Sequence, residues 1–160
     1  MTTLSDCSED ERTQILDTPG AVLSAAVVAD GRPSPMEFLK ELSAGAKVFR
    51  ESQKDEHPFI REVANGIRER GSAERSSGQG LPESEEAMAA AIAQAEQVLA
   101  LLRSKDAADA EAYGAWLVRI ATRVSEAAKS KSGGFFSKKV AVSPGERAFI
   151  ERLTAAVGAG

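Results

Sequence analysis

The chain has 160 residues, 42% of them apolar and 28% charged, the make-up of an ordinary globular protein that can build a core without metals or disulfides. A formal charge of −4 speaks against a dedicated nucleic-acid binder, which would be basic. The single cysteine, Cys7, excludes an internal disulfide and a cysteine-based zinc site, and is the usage expected in a reducing cytoplasm.

The opening "MTTLSDCSEDER" is acidic and polar, the opposite of a signal peptide, and residues 1–13 read as a disordered leader. Nowhere does the chain run the roughly 18 apolar residues that a membrane span needs. A soluble, cytoplasmic, bacterial or archaeal protein is the expectation.

From there the periodicity is helical. Ile15, Leu16, Val22, Leu23, Ala26 and Val27 predict a first helix that Pro19 bends or restarts. Ser34-Pro35-Met36-Glu37 is a helix start: serine caps, proline occupies the first helical position, and glutamate reaches back to the cap. Behind it Leu39, Leu42, Ala46 and Phe49 make an apolar face. Phe59, Ile60, Val63 and Ile67 give a shorter helix, with His57-Pro58 at or beside its N-cap.

The stretch "RGSAERSSGQGLPES", residues 70–84, has the Gly/Ser composition of a flexible linker. After it, Met88, Ile92, Ala95, Leu99 and Leu102 mark a fourth helix that Ser84 can start. Tyr113, Leu117, Ile120, Val124 and Ala127 mark a fifth, with Asp106 as its cap. A second S-P-x-E start, Ser143 to Glu146, opens a closing helix carrying Phe149, Ile150, Leu153 and Val157. Only "KVAV" at 139–142 has a short strand look. The expected fold is all-α, a single irregular bundle of about six helices. Its domain is 14–157, in two three-helix halves (14–70 and 84–157) joined by the linker 71–83.

Catalytic constellations are thin. His57 is the sole histidine, no G-x-S-x-G elbow surrounds a serine, and there is no Walker loop, dinucleotide fingerprint or H-E-x-x-H. Glu83, Glu85 and Glu86 sit where a helix dipole favours negative charge, and need no other role. Asp30 and Glu37 flank one tight turn and could offer a hard cation two ligands, though a turn followed by a capping box explains both.

"AAVVADGRPSPMEFLKEL", 25–42, resembles the helix–turn–helix stretch of the tellurite-resistance-associated TerB-like helical domains, and "VSPGERAFIERLTAAVG", 142–158, is similar to that family's closing helix. The resemblance implies a helical module that holds a divalent cation on acids near its two turns, here Asp30, Glu37 and Glu146. At the second turn lysines stand where the family would have an aspartate. The run from Tyr113 to Phe135 also resembles small bacterial helical proteins with an "AYxxWL…IAxxVxEAAK…GGF" stretch, a likeness that implies no activity.

One connection stands apart. From Arg119 to Lys139 there are six cations and one anion, and the lysines there surround Phe135-Phe136. Lysines at a helix C-terminus meet the dipole favourably, and an apolar residue after a glycine cap folds back on the last turn. At least one phenylalanine is therefore expected to plug the bundle. The alternative is a docking site for an acidic or amphipathic partner on Lys131, Phe135, Phe136, Lys138 and Lys139, or a weak contact with an anionic membrane. The function expected is that of a non-enzymatic accessory or protein-interaction protein, stress-associated, with no cofactor beyond a divalent cation. An ion-binding TerB-like module and a carboxylate-based enzyme are the alternatives.

Overall fold

The computed structural model describes residues 2–29, 34–71, 84–129 and 144–158. They form a 3-10 turn (Leu4–Asp6) and six α-helices, with no strand among the described residues. The helices are α1 (Glu9–Val28), α2 (Pro35–Ser52), α3 (Pro58–Gly71), α4 (Ser84–Lys105), α5 (Ala107–Lys129) and α6 (Pro144–Gly158). The expected all-α bundle is the fold observed. Of the expected linker 71–83, Gly71 ends α3 and residues 72–83 lie outside the described ones, as does "KVAV" at 139–142.

Residues 2–13 are ordered, where composition suggests a disordered leader. Two capping boxes organise them. Thr3 and Asp6 bracket the 3-10 turn, and the Ser8 hydroxyl accepts the Glu11 N–H at 3.2 Å while the Glu11 carboxylate accepts the Ser8 N–H at 2.8 Å. Hydrogen bonds from Thr3 hold the Asp6 carboxyl below its ordinary range, and the Ser8 backbone bond does the same for Glu11. Acidic side chains elsewhere then anchor the backbone: the Thr2 N–H donates to Asp109 Oδ2 at 2.5 Å and the Leu4 N–H to Glu62 Oε1 at 3.1 Å. Leu4 and Cys7 are buried, and burial pushes the Cys7 thiol up. A segment can thus be polar in composition and still be held by its own main chain.

α1 runs unbroken through Pro19, neither stopped nor restarted. Proline has no N–H, so the carbonyl four residues back, that of Ile15, loses its helical donor. The Tyr113 hydroxyl of α5 supplies the missing hydrogen bond at 2.7 Å, between residues that are both fully buried. Burial pushes the phenol well above its ordinary value. Tyr113 also begins an aromatic row, with ring centroids 6.2 Å from Phe59 and 5.9 Å from Trp116, and Trp116 lies edge-on to Phe49 at 6.0 Å.

α1 packs against α4 and α5, which form an antiparallel pair joined through Asp106 alone. Asp106 caps α5, its carboxylate accepting the N–H groups of Ala108 and Asp109 at 2.9 and 3.2 Å. α6 lies on α4 and α5, α2 on α5, and α3 closes against α1, α2 and α5. Met88, Ala95, Leu99 and Leu102 of α4 and Tyr113, Leu117, Ile120 and Val124 of α5 are buried on the faces their spacing predicts, as are Phe149 and Leu153 of α6. The two halves share one core. Among the described residues, no helix is long and apolar enough to cross a membrane.

Candidate interaction surface

α2 begins as its sequence dictates, with the Ser34 hydroxyl accepting from the Glu37 N–H at 3.3 Å and the Glu37 carboxylate accepting from the Ser34 N–H at 3.1 Å. Its rotation about its own axis is the surprise. Of the apolar face Leu39, Leu42, Ala46 and Phe49, only Phe49 turns toward the core: Leu39 is 63% and Leu42 37% exposed, Ala46 is exposed, and Met36, 67% exposed, extends the stripe. The buried side instead carries Glu41, Gly45, Val48 and Ser52, with Phe38 and Phe49 half-buried at its margin.

Packing explains why the polar side wins. Gly45 has no Cβ, and one placed there would run into the Leu23 side chain of α1, which would have to move, so this side of α2 lies close against α1. Two helical turns further on, Ser52 donates to the Val48 carbonyl at 2.7 Å and accepts the Trp116 indole N–H at 2.8 Å. Both Ser52 and Trp116 are buried, so turning α2 to hide Leu39 would orphan that N–H. Outside this hinge of polar contacts, Asp55 pairs with Arg119 at 3.0 Å and Glu51 with Arg123 at 3.6 Å. These ion pairs close a cleft of about 120 Å³.

The exposed apolar surface is concentrated on this helix. Met36, Leu39 and Leu42 are the only large apolar side chains exposed among the described residues, and all three sit on one helix. Fully burying such a side chain is worth about 1.5–3 kcal/mol, and for Met36 and Leu39 roughly two thirds of that is left unrealised by the fold. Ser43 and Ala46 lie small and exposed in the middle of the stripe. Lys40 and Lys47, seven residues apart, follow one edge of it, and Arg50 closes its C-terminal end. The sequence contains this signal in the spacing of Leu39, Leu42 and Ala46, but spacing alone cannot say whether an apolar face is turned in or out.

The other candidate residues are more dispersed. Asp30 and all of Lys131, Phe135, Phe136, Lys138 and Lys139 lie outside the described residues. Glu37 is exposed at the third position of α2 and engaged in its capping box, and Glu146, at the equivalent position of α6, is buried. Among the described residues no group of three or more His, Cys, Asp or Glu is placed to hold a metal ion. His57 caps α3 as its place before Pro58 suggests, its carbonyl accepting the Arg61 N–H at 3.1 Å and its own N–H donating to Asp55 Oδ1 at 2.9 Å. Its Nε2 faces the buried carboxylate of Asp109 at 3.6 Å. The second oxygen of Asp109 is taken by the Thr2 N–H, and His57 Nδ1 is buried without a hydrogen-bond partner, so this pair ties the N-terminal segment to α3 and α5. Glu85, in the first turn of α4, pairs with Arg152 of α6 at 3.2 Å.

A shallow cleft of about 480 Å³ between the 3-10 turn, α1 and α3 is lined by Leu4, Leu16 and Gly66 with Arg12 and Arg70 at its rim. Its cations are occupied: Arg12 Nε donates to the Leu4 carbonyl at 3.2 Å and Arg70 pairs with Asp17. Comparison with protein-family models, curated proteins and solved structures finds no match to this chain.

Proposed function

We propose that the protein is a non-enzymatic interaction module that docks a protein partner on the outward face of α2. The observation that carries this reading is the inversion of that helix, whose periodic apolar face is exposed while Glu41, Gly45 and Ser52 are buried. An apolar stripe with no place in its own core is the physical signature of a surface that works by being covered.

A photo-crosslinking residue in place of Leu39, with one in place of the exposed Ala89 of α4 as control, tests the reading in cells. A discrete covalent adduct from position 39 that is missing from position 89 is the expected result. Identical adduct patterns at the two positions, or none at either, refute it.

A further inference from the structure

From the charges around this stripe we infer that its occupant is an amphipathic helix whose apolar face is flanked by acidic residues; the inference rests on the docking role proposed for α2. Lys40, Lys47 and Arg50 form no ion pair with any described residue, whereas the neighbouring Arg119 and Arg123 are both neutralised, by Asp55 and Glu51. The acids three or four residues from these cations along α2 are engaged elsewhere: the Glu37 carboxylate accepts the Ser34 N–H, and Glu51, four residues after Lys47, pairs with Arg123. An apolar strip edged by three unmatched cations, on a protein of net charge −4, is complementary to carboxylates on the incoming partner.

The shape of the site selects a helix. α2 spans 18 residues and its backbone is hydrogen-bonded internally, so it offers no strand edge to an extended peptide. Ser43 and Ala46 leave a shallow saddle between Leu39 and Arg50, into which side chains of a second helix can drop at the usual interaxial distance of about 8–10 Å. A second copy of this chain fits less well. Pairing α2 with itself in antiparallel register along Met36, Leu39, Ser43 and Ala46 sets Lys40 of each copy against Lys47 of the other.

The test is a selection from a displayed library of amphipathic helical peptides with randomised flanking positions, using the intact chain as bait. Three baits are compared: wild type, Leu39→Glu, and the charge-reversed pair Lys47→Glu with Arg50→Glu. Circular dichroism first establishes that each bait is folded. The expected result is enrichment by wild type of apolar stripes flanked by Asp and Glu, at least tenfold over the Leu39→Glu bait, with flanks turning to Lys and Arg on the charge-reversed bait. Enrichment of helices with neutral or basic flanks on wild type overturns the acidic partner while leaving the docking role intact. No enrichment over Leu39→Glu overturns both. Two further readings overturn the helix in favour of another occupant. One is a concentration-dependent dimer in light scattering that Leu39→Glu abolishes. The other is sedimentation with phosphatidylcholine–phosphatidylserine vesicles that Leu39→Glu abolishes without any peptide enrichment.

Discussion

Replacing Tyr113 by phenylalanine removes one oxygen from the middle of the bundle, and Pro19 determines what that oxygen is worth. In a helix without proline the Ile15 carbonyl would accept the N–H of residue 19, and a tyrosine hydroxyl nearby would be an extra bond, worth about 0.5–1.5 kcal/mol. Here it is the donor that takes the place of the missing N–H, at 2.7 Å and wholly out of water. Tyr113→Phe keeps the ring between Phe59 and Trp116 but leaves a buried carbonyl orphaned, at a cost of about 1–3 kcal/mol. Adding Pro19→Ala restores an N–H at position 19, so the same Tyr113→Phe change should then cost only about 0.5–1.5 kcal/mol, the worth of an extra bond. The two substitutions are therefore predicted to couple by about 1 kcal/mol in a double-mutant cycle. Urea unfolding of the four proteins followed by circular dichroism measures it. If the two effects add to within about 0.5 kcal/mol, the hydroxyl is not replacing the proline's missing donor, and the account of how α1 passes through Pro19 is wrong.

Three other outcomes follow from the same contacts. Tyr113 is the only tyrosine, and burial raises its folded-state pKa above the ordinary 10.0. A raised pKa contributes stability that is complete below the unfolded value and is lost as pH climbs past it, so phenolate absorbance should rise together with loss of helical signal above about pH 10. Ionisation while the helices remain intact would show that the phenol is not buried. Glu11 and Asp6 are shifted the opposite way, from 4.5 and 3.8, so their contribution is present above those values and disappears as pH falls through the lowered folded-state ones. The urea midpoint of wild type should drop more steeply than that of Glu11→Gln between about pH 5 and pH 2, and parallel curves would remove the box at Ser8 from the stability argument. Leu39→Glu, finally, should change unfolding free energy by under about 0.5 kcal/mol because the side chain is mostly in solvent; a loss of about 2 kcal/mol or more would place Leu39 in a core.

What could be read from the residue order was the identity of the helices and little of their rotation. The Ser34 box, the Asp106 cap, and the buried faces of α4 and α5 all depend on neighbours three or four residues away, which a linear pattern displays. Pro19 was visible as a break because the donor that compensates for it lies 98 positions away, on α5. The leader looked disordered for a related reason: its anchors are main-chain N–H groups, which every residue has, and the acids that receive them, Glu62 and Asp109, are far along the chain. The spacing of Leu39, Leu42 and Ala46 displays the apolar face of α2 but not the side to which it turns. Gly45 and Ser52 outcompete leucine there through close approach and a buried hydrogen bond, and hydrophobicity measures neither.

The way the first three helices rely on the last three has a practical consequence for cutting the molecule. α1 is completed by a hydroxyl from α5 that donates to the Ile15 carbonyl, and the rotation of α2 is fixed by an indole from α5 that donates to the Ser52 hydroxyl. The two halves share one buried cluster, yet each carries its own helix-start signals. Genes split within residues 72–83 should therefore yield two fragments that are each largely unstructured and that regain helix on mixing, an all-or-none reassembly suited to a two-part reporter. In such a pair the single tryptophan resides in the second fragment while its partner Ser52 resides in the first, so indole fluorescence would report reunion without any added label.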